Sequence, residues 1–266
     1  MNFKTPPKKT YKQICDFFNN IGLSSLVKEA AVGEKDKNTV STSITHKPDL
    51  IDLYRLYQFV VLNKRTTILE FGSGWSTLVY FFAMSNLKKK FEKNSKKLRR
   101  SNLFEIFVLE NSKKYLEITK KRILFFKKKL KLDNYPKIHY SYSDVEMITY
   151  ENKICTTFKK VPLCNPDFIY LDGPDQFNVK KDINGISTRH LDMMPMACDI
   201  LKFELFYIPG TIIICDGRSA NALFLKSFFK RNWSHKHDKV NDQHIFYLID
   251  PSLGKYNDLQ LNFYKN

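Results

Sequence analysis

Cysteine is scarce and scattered: Cys15, Cys155, Cys164, Cys198 and Cys215, with no C-x-x-C pair among them. An odd number at wide spacings argues against a disulfide framework or a cysteine-based zinc cluster. It fits a reducing, cytoplasmic setting in which each thiol is a small apolar filler. Glycine, at 9, and proline, at 10, are too few for a collagen-like or low-complexity chain. No apolar run approaches the roughly 20 residues that cross a bilayer. The N-terminal MNFKTPPKKTYKQICDFF has charge but no apolar stretch ahead of a small-residue cleavage site, so secretion by a signal peptide is not expected. Acid is in short supply as well. Asp plus Glu number 27 against 44 Lys plus Arg, a net charge of +17.

What is present is enough for one sizeable core. The 266 residues are 43% hydrophobic and 14% aromatic, which excludes disorder as the overall state and suits one large domain with an extension. The excess charge is uneven. Between Lys88 and Lys131, 17 basic residues face four acids, concentrated in KKKFEKNSKKLRR (88–100) and KKRILFFKKKLK (120–131). Such a field attracts nucleic acid, phosphorylated molecules or acidic membrane surfaces. A solvated lysine face reads equally well, because Lys outnumbers Arg 36 to 8 and phosphate readers lean on arginine forks.

The apolar spacing predicts alternating elements. The segment VGEKDKNTVSTS (32–43) reads as a loop, and Pro48 to Leu62 as a helix with Asp49 at its positive end. Thr66–Phe71 is a strand stopped by glycines, and Ser76–Leu87 a helix. Strands follow at Leu103–Glu110, Lys137–Asp144, Asp167–Pro174, Gly210–Gly217 and His244–Asp250. Helices are expected over 112–130, over 188–207 with a break near Pro195, and over 219–232. WSHKHDKVNDQH, with His235, His237 and His244, reads as a solvated loop. The alternation predicts an α/β fold: a doubly wound, mostly parallel sheet with helices on both faces. Residues 1–47 form an N-terminal helical extension over the strand ends, 48–266 the main domain, and 88–100 a lysine-rich insertion between the first helix and the second strand.

In such sheets ligands bind beyond the carboxyl ends of the strands. Five successive predicted strands carry an acid there: Glu70, Glu110, Asp144, Asp172 and Asp216. Carboxylates are costly to bury without partners, so this register points to a site. In Glu70-Phe71-Gly72-Ser73-Gly74-Trp75-Ser76-Thr77, Gly72 and Gly74 allow a sharp turn and close approach of backbone to ligand, while Ser76 and Thr77 are placed to cap the next helix. The exposed helix start offers N–H donors to a carboxylate. Glu110 suits two ribose hydroxyls and Asp144 an adenine amino group. Trp75 reads equally as a pocket wall or as packing between helix and sheet.

Over residues 66–250 the sequence resembles the class I S-adenosylmethionine-dependent methyltransferases. ILEFGSGWSTL is similar to their first motif, Glu110 to their ribose-binding acid, Asp144 to the group beside adenine, and DFIYLDGP to their fourth-strand motif. The resemblance implies a seven-stranded sheet with a late antiparallel strand, S-adenosylmethionine as cofactor, backbone of the glycine turn on its methionine part, and Asp172 facing its amine and the acceptor. Two departures stand out: Ser76 replaces the third glycine, and Glu110 follows Glu70 by 40 residues rather than about 20, the lysine-rich insertion accounting for the excess. A nicotinamide dinucleotide is the rival, but G-x-G-x-x-G requires glycine where Thr77 stands.

Methyl transfer requires exclusion of water, alignment of the acceptor, and a place for its proton. Asp172, His190 and Asp216 are the candidate catalytic groups, and Asp175, Arg189, Arg218 and Asn221 the candidate acceptor contacts. Asp172 with Asp216 is similar to the Mg²⁺-holding pair of catechol-type O-methyltransferases. Gly217 stands where those enzymes have an amide ligand, so pairing of Asp216 with Arg218 or Arg189 is expected instead, and no metal. The resulting expectation is O-methylation of a small molecule or sugar. RNA methylation through the basic 88–131 stretch is the alternative, weakened by the lack of an N-P-P-Y-type motif. A non-catalytic basic protein with a nucleoside-binding fold is the third reading.

Overall fold

The computed structural model describes residues 3–31, 47–130 and 135–265, so the predicted loop 32–43 lies outside the described residues. In chain order the elements begin with α1 (Tyr11–Asn20), α2 (Ser24–Ala31), α3 (Leu50–Leu62), β1 (Thr67–Phe71), α4 (Trp75–Ser95), β2 (Glu105–Glu110), α5 (Lys113–Leu130) and β3 (Lys137–Tyr142). They continue with β4 (Val145–Tyr150), β5 (Lys153–Phe158), β6 (Phe168–Leu171), β7 (Val179–Lys180) and α6 (Asp199–Lys202). The last are β8 (Ile212–Asp216), α7 (Ser219–Phe228), β9 (Trp233–Asp238), β10 (Gln243–Leu248) and α8 (Lys255–Lys265). One sheet runs β3-β2-β1-β6-β8-β10-β9, parallel except where β10 pairs antiparallel with β8 and β9. This seven-stranded sheet is the fold that the methyltransferase resemblance implies.

Strand alternation divides the core. Ile68, Ile106, Val108, Phe168, Tyr170, Ile212 and Ile214 face α3, α4 and α5. Leu69, Phe71, Phe107, Leu109, Ile169, Ile213 and Cys215 face the opposite way, against α6, α7 and a small second sheet. The N-terminal helices extend the first layer. Thr10 opens α1 with a capping box, and Phe17 packs edge-on against Tyr54 and Tyr57 of α3. Asp49 caps α3 by accepting from the Ile51 and Asp52 N–H groups at 2.8 and 3.3 Å. Arg55, one turn along, donates to Asp238 at 2.7 Å and Gln243 at 2.8 Å, which pins α3 across β9 and β10.

Several local expectations are corrected. The predicted helix 188–207 shrinks to α6 and one 3₁₀ turn at Glu204–Phe206. The preceding chain is irregular, tied by Thr188 to the Gln176 carbonyl and by a bridge between Thr156 and Ala197. The lysine-rich 88–100 segment is largely the continuation of α4 to Ser95 rather than an insertion after it. The histidine stretch is a hairpin, not a loop, with His235 and His237 on the edge strand β9 and His244 on its neighbour β10. His237 and His244 stack at 3.8 Å, and His244 bridges Ser219 and His235 at 2.9 Å each. The hairpin β4–β5 was not foreseen; its turn, Glu151-Asn152, has φ of 45° and 62°, left-handed values that glycine usually supplies. Helix α8 is a further addition: Tyr264 donates to Asp167 at 2.7 Å beneath the sheet.

Candidate active site

The alternation that builds the core also aims the acids. Glu70, Glu110, Asp172 and Asp216 each stand two residues beyond a side chain on the α3–α5 face: Ile68, Val108, Tyr170 and Ile214. All four therefore emerge on that face at the carboxyl ends of adjacent strands. A cleft of about 210 Å³ opens above them. Its walls include Asp52 and Leu56 of α3, Gly74 and Trp75 at the start of α4, Arg122 of α5, and Tyr170, Asp172 and Asp216.

The turn after β1 is shaped by close backbone contact. Gly72 has φ +106°, and its N–H donates to the Leu109 carbonyl at 2.8 Å. A Cβ on Gly173 would stand 2.7 Å from the Gly72 nitrogen, so the two loops touch only because both residues lack side chains. Gly74 differs. Its φ of 173° suits any residue, and a Cβ there would meet nothing within 4 Å, so the missing side chain leaves room in the cleft.

Glu70 lies beneath this turn and is 1% exposed. It accepts from Ser76 Oγ at 2.5 Å and Thr77 Oγ1 at 2.7 Å, while Thr77 Oγ1 also accepts from the Gly74 N–H at 3.2 Å. Ser76 and Thr77 thus anchor the start of α4 to β1, a fuller role than the expected cap. Burial pushes Glu70 up to about 8 against the pull of those two hydroxyls. Glu110 accepts from Ser73 Oγ at 2.7 Å and from the Ser112 N–H at 2.8 Å; burial raises it to about 6. Asp216 accepts from the Tyr170 hydroxyl at 3.0 Å and is raised to about 7 by burial and then by Asp172. Its expected arginine partners lie elsewhere: Arg218 donates to the Pro174 carbonyl at 2.8 Å, and Arg189 to Ser187 and Asp182.

Asp52 was missed in the sequence. It faces the cleft from α3 and is pushed up to about 8, by burial first, then by Asp216 and Asp49, with Arg55 pulling down. Nothing in IDLYRLYQFV distinguishes it from an ordinary helix acid; only the seating of α3 over β8 does. Asn111 was missed as well. Its amide fixes the loop after β6, donating to the Asp175 and Asn178 carbonyls and accepting from the Asp175 N–H at 3.0 to 3.1 Å. Trp75 lines the cleft, with the Arg122 guanidinium 3.6 Å above its ring, and burial lowers Arg122 to about 10.

Other expected site residues are engaged elsewhere or lie at the edge of the cleft. His190 is exposed, outside the cleft, with the Asp192 N–H on its Nδ1 at 3.2 Å. Asn221 is fully buried, and both ends of its amide are turned to the Ala197 backbone, at 3.0 and 3.1 Å, away from any acceptor in the cleft. Asp175 turns its carboxylate back to the Phe177 N–H. Asp144 stands two residues beyond β3, not at its end, accepts from the Tyr142 hydroxyl at 2.9 Å and does not line the cleft. Arg218 stays near the rim; burial lowers it while Asp172 pulls it back up. Among the described residues no group of three or more His, Cys, Asp or Glu side chains is arranged to hold a metal ion.

No protein-family model matches this sequence, and no curated protein matches it. Among solved structures, the chain is similar to an O-methyltransferase from Bacillus cereus in complex with SAH, at 14% identity over 90% of this chain and 97% of that one, with a TM-score of 0.42. It is also similar to an SAH-bound methyltransferase from Podospora anserina, at 13% identity over 93% and 100% of the two chains, TM-score 0.43. A third is the O-methyltransferase of tomaymycin synthesis from Streptomyces achromogenes in complex with SAM, at 10% identity over 90% and 96%, TM-score 0.43. Likenesses this distant name no ligand for this chain.

Proposed function

We propose that this protein is an S-adenosylmethionine-dependent methyltransferase that methylates an oxygen of a small molecule or sugar. One observation carries the reading. Four acids on four parallel strands converge on one face, beside a glycine turn, in a chain otherwise strongly basic. Burial, and then neighbouring carboxyls, raise Asp52 and Asp216, and a cationic ligand beside them would favour their charged forms. S-adenosylmethionine carries both a sulfonium and an ammonium.

The residues fit that cofactor. The open space at Gly74 receives it without a clash. Glu110 would take its ribose hydroxyls where Ser73 Oγ now donates, and Asp172 its ammonium. Backbone of Gly72–Ser76 would meet its carboxylate. Asp144, two residues beyond β3, is assigned the adenine edge by the resemblance alone. Glu70 acts as a positioning residue, since its carboxyl is spent on Ser76 and Thr77.

When bound, the cofactor supplies an electrophilic methyl group. The chain's part is to hold the acceptor in line and store its proton. Asp216, raised to about 7 and oriented by Tyr170, accepts that proton, and Asp52 shares the same wall. Trp75 and Arg122 shield the opposite side from water.

Calorimetry with S-adenosylhomocysteine tests the reading. The wild type binds, and Glu110→Ala loses roughly 10- to 100-fold in affinity, the worth of hydrogen bonds to a charged group. No binding by the wild type, or equal binding by the variant, overturns it.

A further inference from the structure

At the opposite, amino-terminal ends of β1, β2 and β6, two cavities adjoin. The larger, about 660 Å³, is walled mainly by Leu69, Val161, Leu163, Phe203, Phe206 and Tyr207. The other, about 370 Å³, contains Arg99 and Arg100. Ser101, Asn102 and Asn165 line both, so an apolar compartment and a cationic one share a polar wall.

The apolar compartment is in the size range of small-molecule sites. Its mouth leaves Leu163 99% and Phe206 74% exposed, a costly arrangement unless something covers it. The cationic compartment is built. Arg100 donates to Thr67 Oγ1 at 2.8 Å and to the Asn165 carbonyl, while its buried Nε has no partner among the described residues. Arg99 is held over the Tyr256 ring at 5.0 Å. Cys164 lines the apolar compartment, and burial pushes its thiol up to about 12 despite the pull of Arg100.

We propose that the two cavities form one site for a single-chain anionic amphiphile of the fatty-acid class. The acyl chain lies against Leu69, Phe203 and Phe206, and the carboxylate meets Arg99 and Arg100. Charge selects this occupant: an anionic head adds ion pairs with Arg99 and Arg100, a neutral apolar ligand adds none, and a cationic one meets repulsion.

Displacement of cis-parinaric acid fluorescence tests the site, with dodecanoate, dodecan-1-ol and dodecyltrimethylammonium as competitors. Dodecanoate is expected to displace the probe at least about tenfold more effectively than the alcohol, and the cation least. Arg99→Gln, at an exposed side chain, reduces dodecanoate binding about tenfold and leaves the alcohol unchanged. Phe206→Glu weakens both, and circular dichroism verifies that the variants fold. No probe binding, or equal displacement by the three competitors, overturns the proposal. So does a dimer in sedimentation that Phe206→Glu dissolves, which would make the face a contact between copies. S-adenosylhomocysteine affinity in Arg99→Gln is unchanged, because the rim lies at the other end of the strands.

Discussion

Strand β6 carries an aspartate beyond each end, and the two have opposite surroundings. Asp167, before the strand, is wholly buried and accepts from the Thr66 N–H and hydroxyl, the Thr67 N–H and the Tyr264 hydroxyl. Asp172, after it, is exposed at a cleft whose other ionisable groups include Asp52 and Asp216. The first carboxylate is saturated by donors and serves the fold by joining β1, β6 and α8. The second is exposed in a cleft lined by acids, Asp52 and Asp216, and by bases, Lys47 and Arg122, and it lies within the electrostatic reach of Arg218. The same residue type is thus buried and structural before the strand and exposed at the cleft after it.

Removing each aspartate should separate stability from binding. Asp167→Ala strands several buried donors, so urea unfolding should show a loss of about 3–5 kcal/mol. Asp172→Asn should stay within about 0.5 kcal/mol of the wild type in the same measurement yet bind S-adenosylhomocysteine more weakly. Equal stability losses in the two variants would erase the contrast.

The glycines divide in the same way, with smaller effects. Gly173→Ala drives a Cβ to 2.7 Å from the Gly72 nitrogen and should cost about 1–3 kcal/mol. Gly74→Ala meets only open space, so thermal unfolding should be nearly unchanged while ligand affinity falls. If Gly74→Ala binds like the wild type, the cleft is not where the cofactor lies.

A third effect concerns pH. Glu70 and Asp52 are raised to about 8, Asp216 to about 7 and Glu110 to about 6, all above their unfolded values. Between about pH 4.5 and 8 the folded chain therefore holds protons that the unfolded chain has released, so stability falls as pH rises through that window. Denaturant midpoints at pH 5 and pH 8 should show the drop, with Asp52→Asn reducing it by on the order of 1 kcal/mol. A midpoint that rises toward pH 8 would contradict the raised values.

Much of this arrangement was readable in the sequence. The runs TILEF and FIYL are short and apolar, are bounded by Gly72 or Gly173, and end near acids, so strands, turns and rim positions all followed from one dimension. What was hidden depends on the third. Asp52 gains its neighbours only when α3 crosses β8. Asn221 carries the right chemistry at the right distance from Asp216, yet packing turns its amide onto Ala197. His235 and His237 read as solvated because polar residues on the edge strand β9 carry no apolar alternation, and their stacking on the buried His244 of β10 leaves no sequence signal. The Glu151-Asn152 turn lacks the glycine that normally announces a tight hairpin.

The most direct test is calorimetry of S-adenosylmethionine binding between pH 6 and 8, in two buffers of different ionisation enthalpy. A cation entering a rim of carboxyls that burial keeps partly protonated displaces protons, so affinity should rise with pH and the heat should depend on the buffer. Binding with no proton release and no pH dependence, or no binding at all, would contradict a carboxyl rim built for a sulfonium.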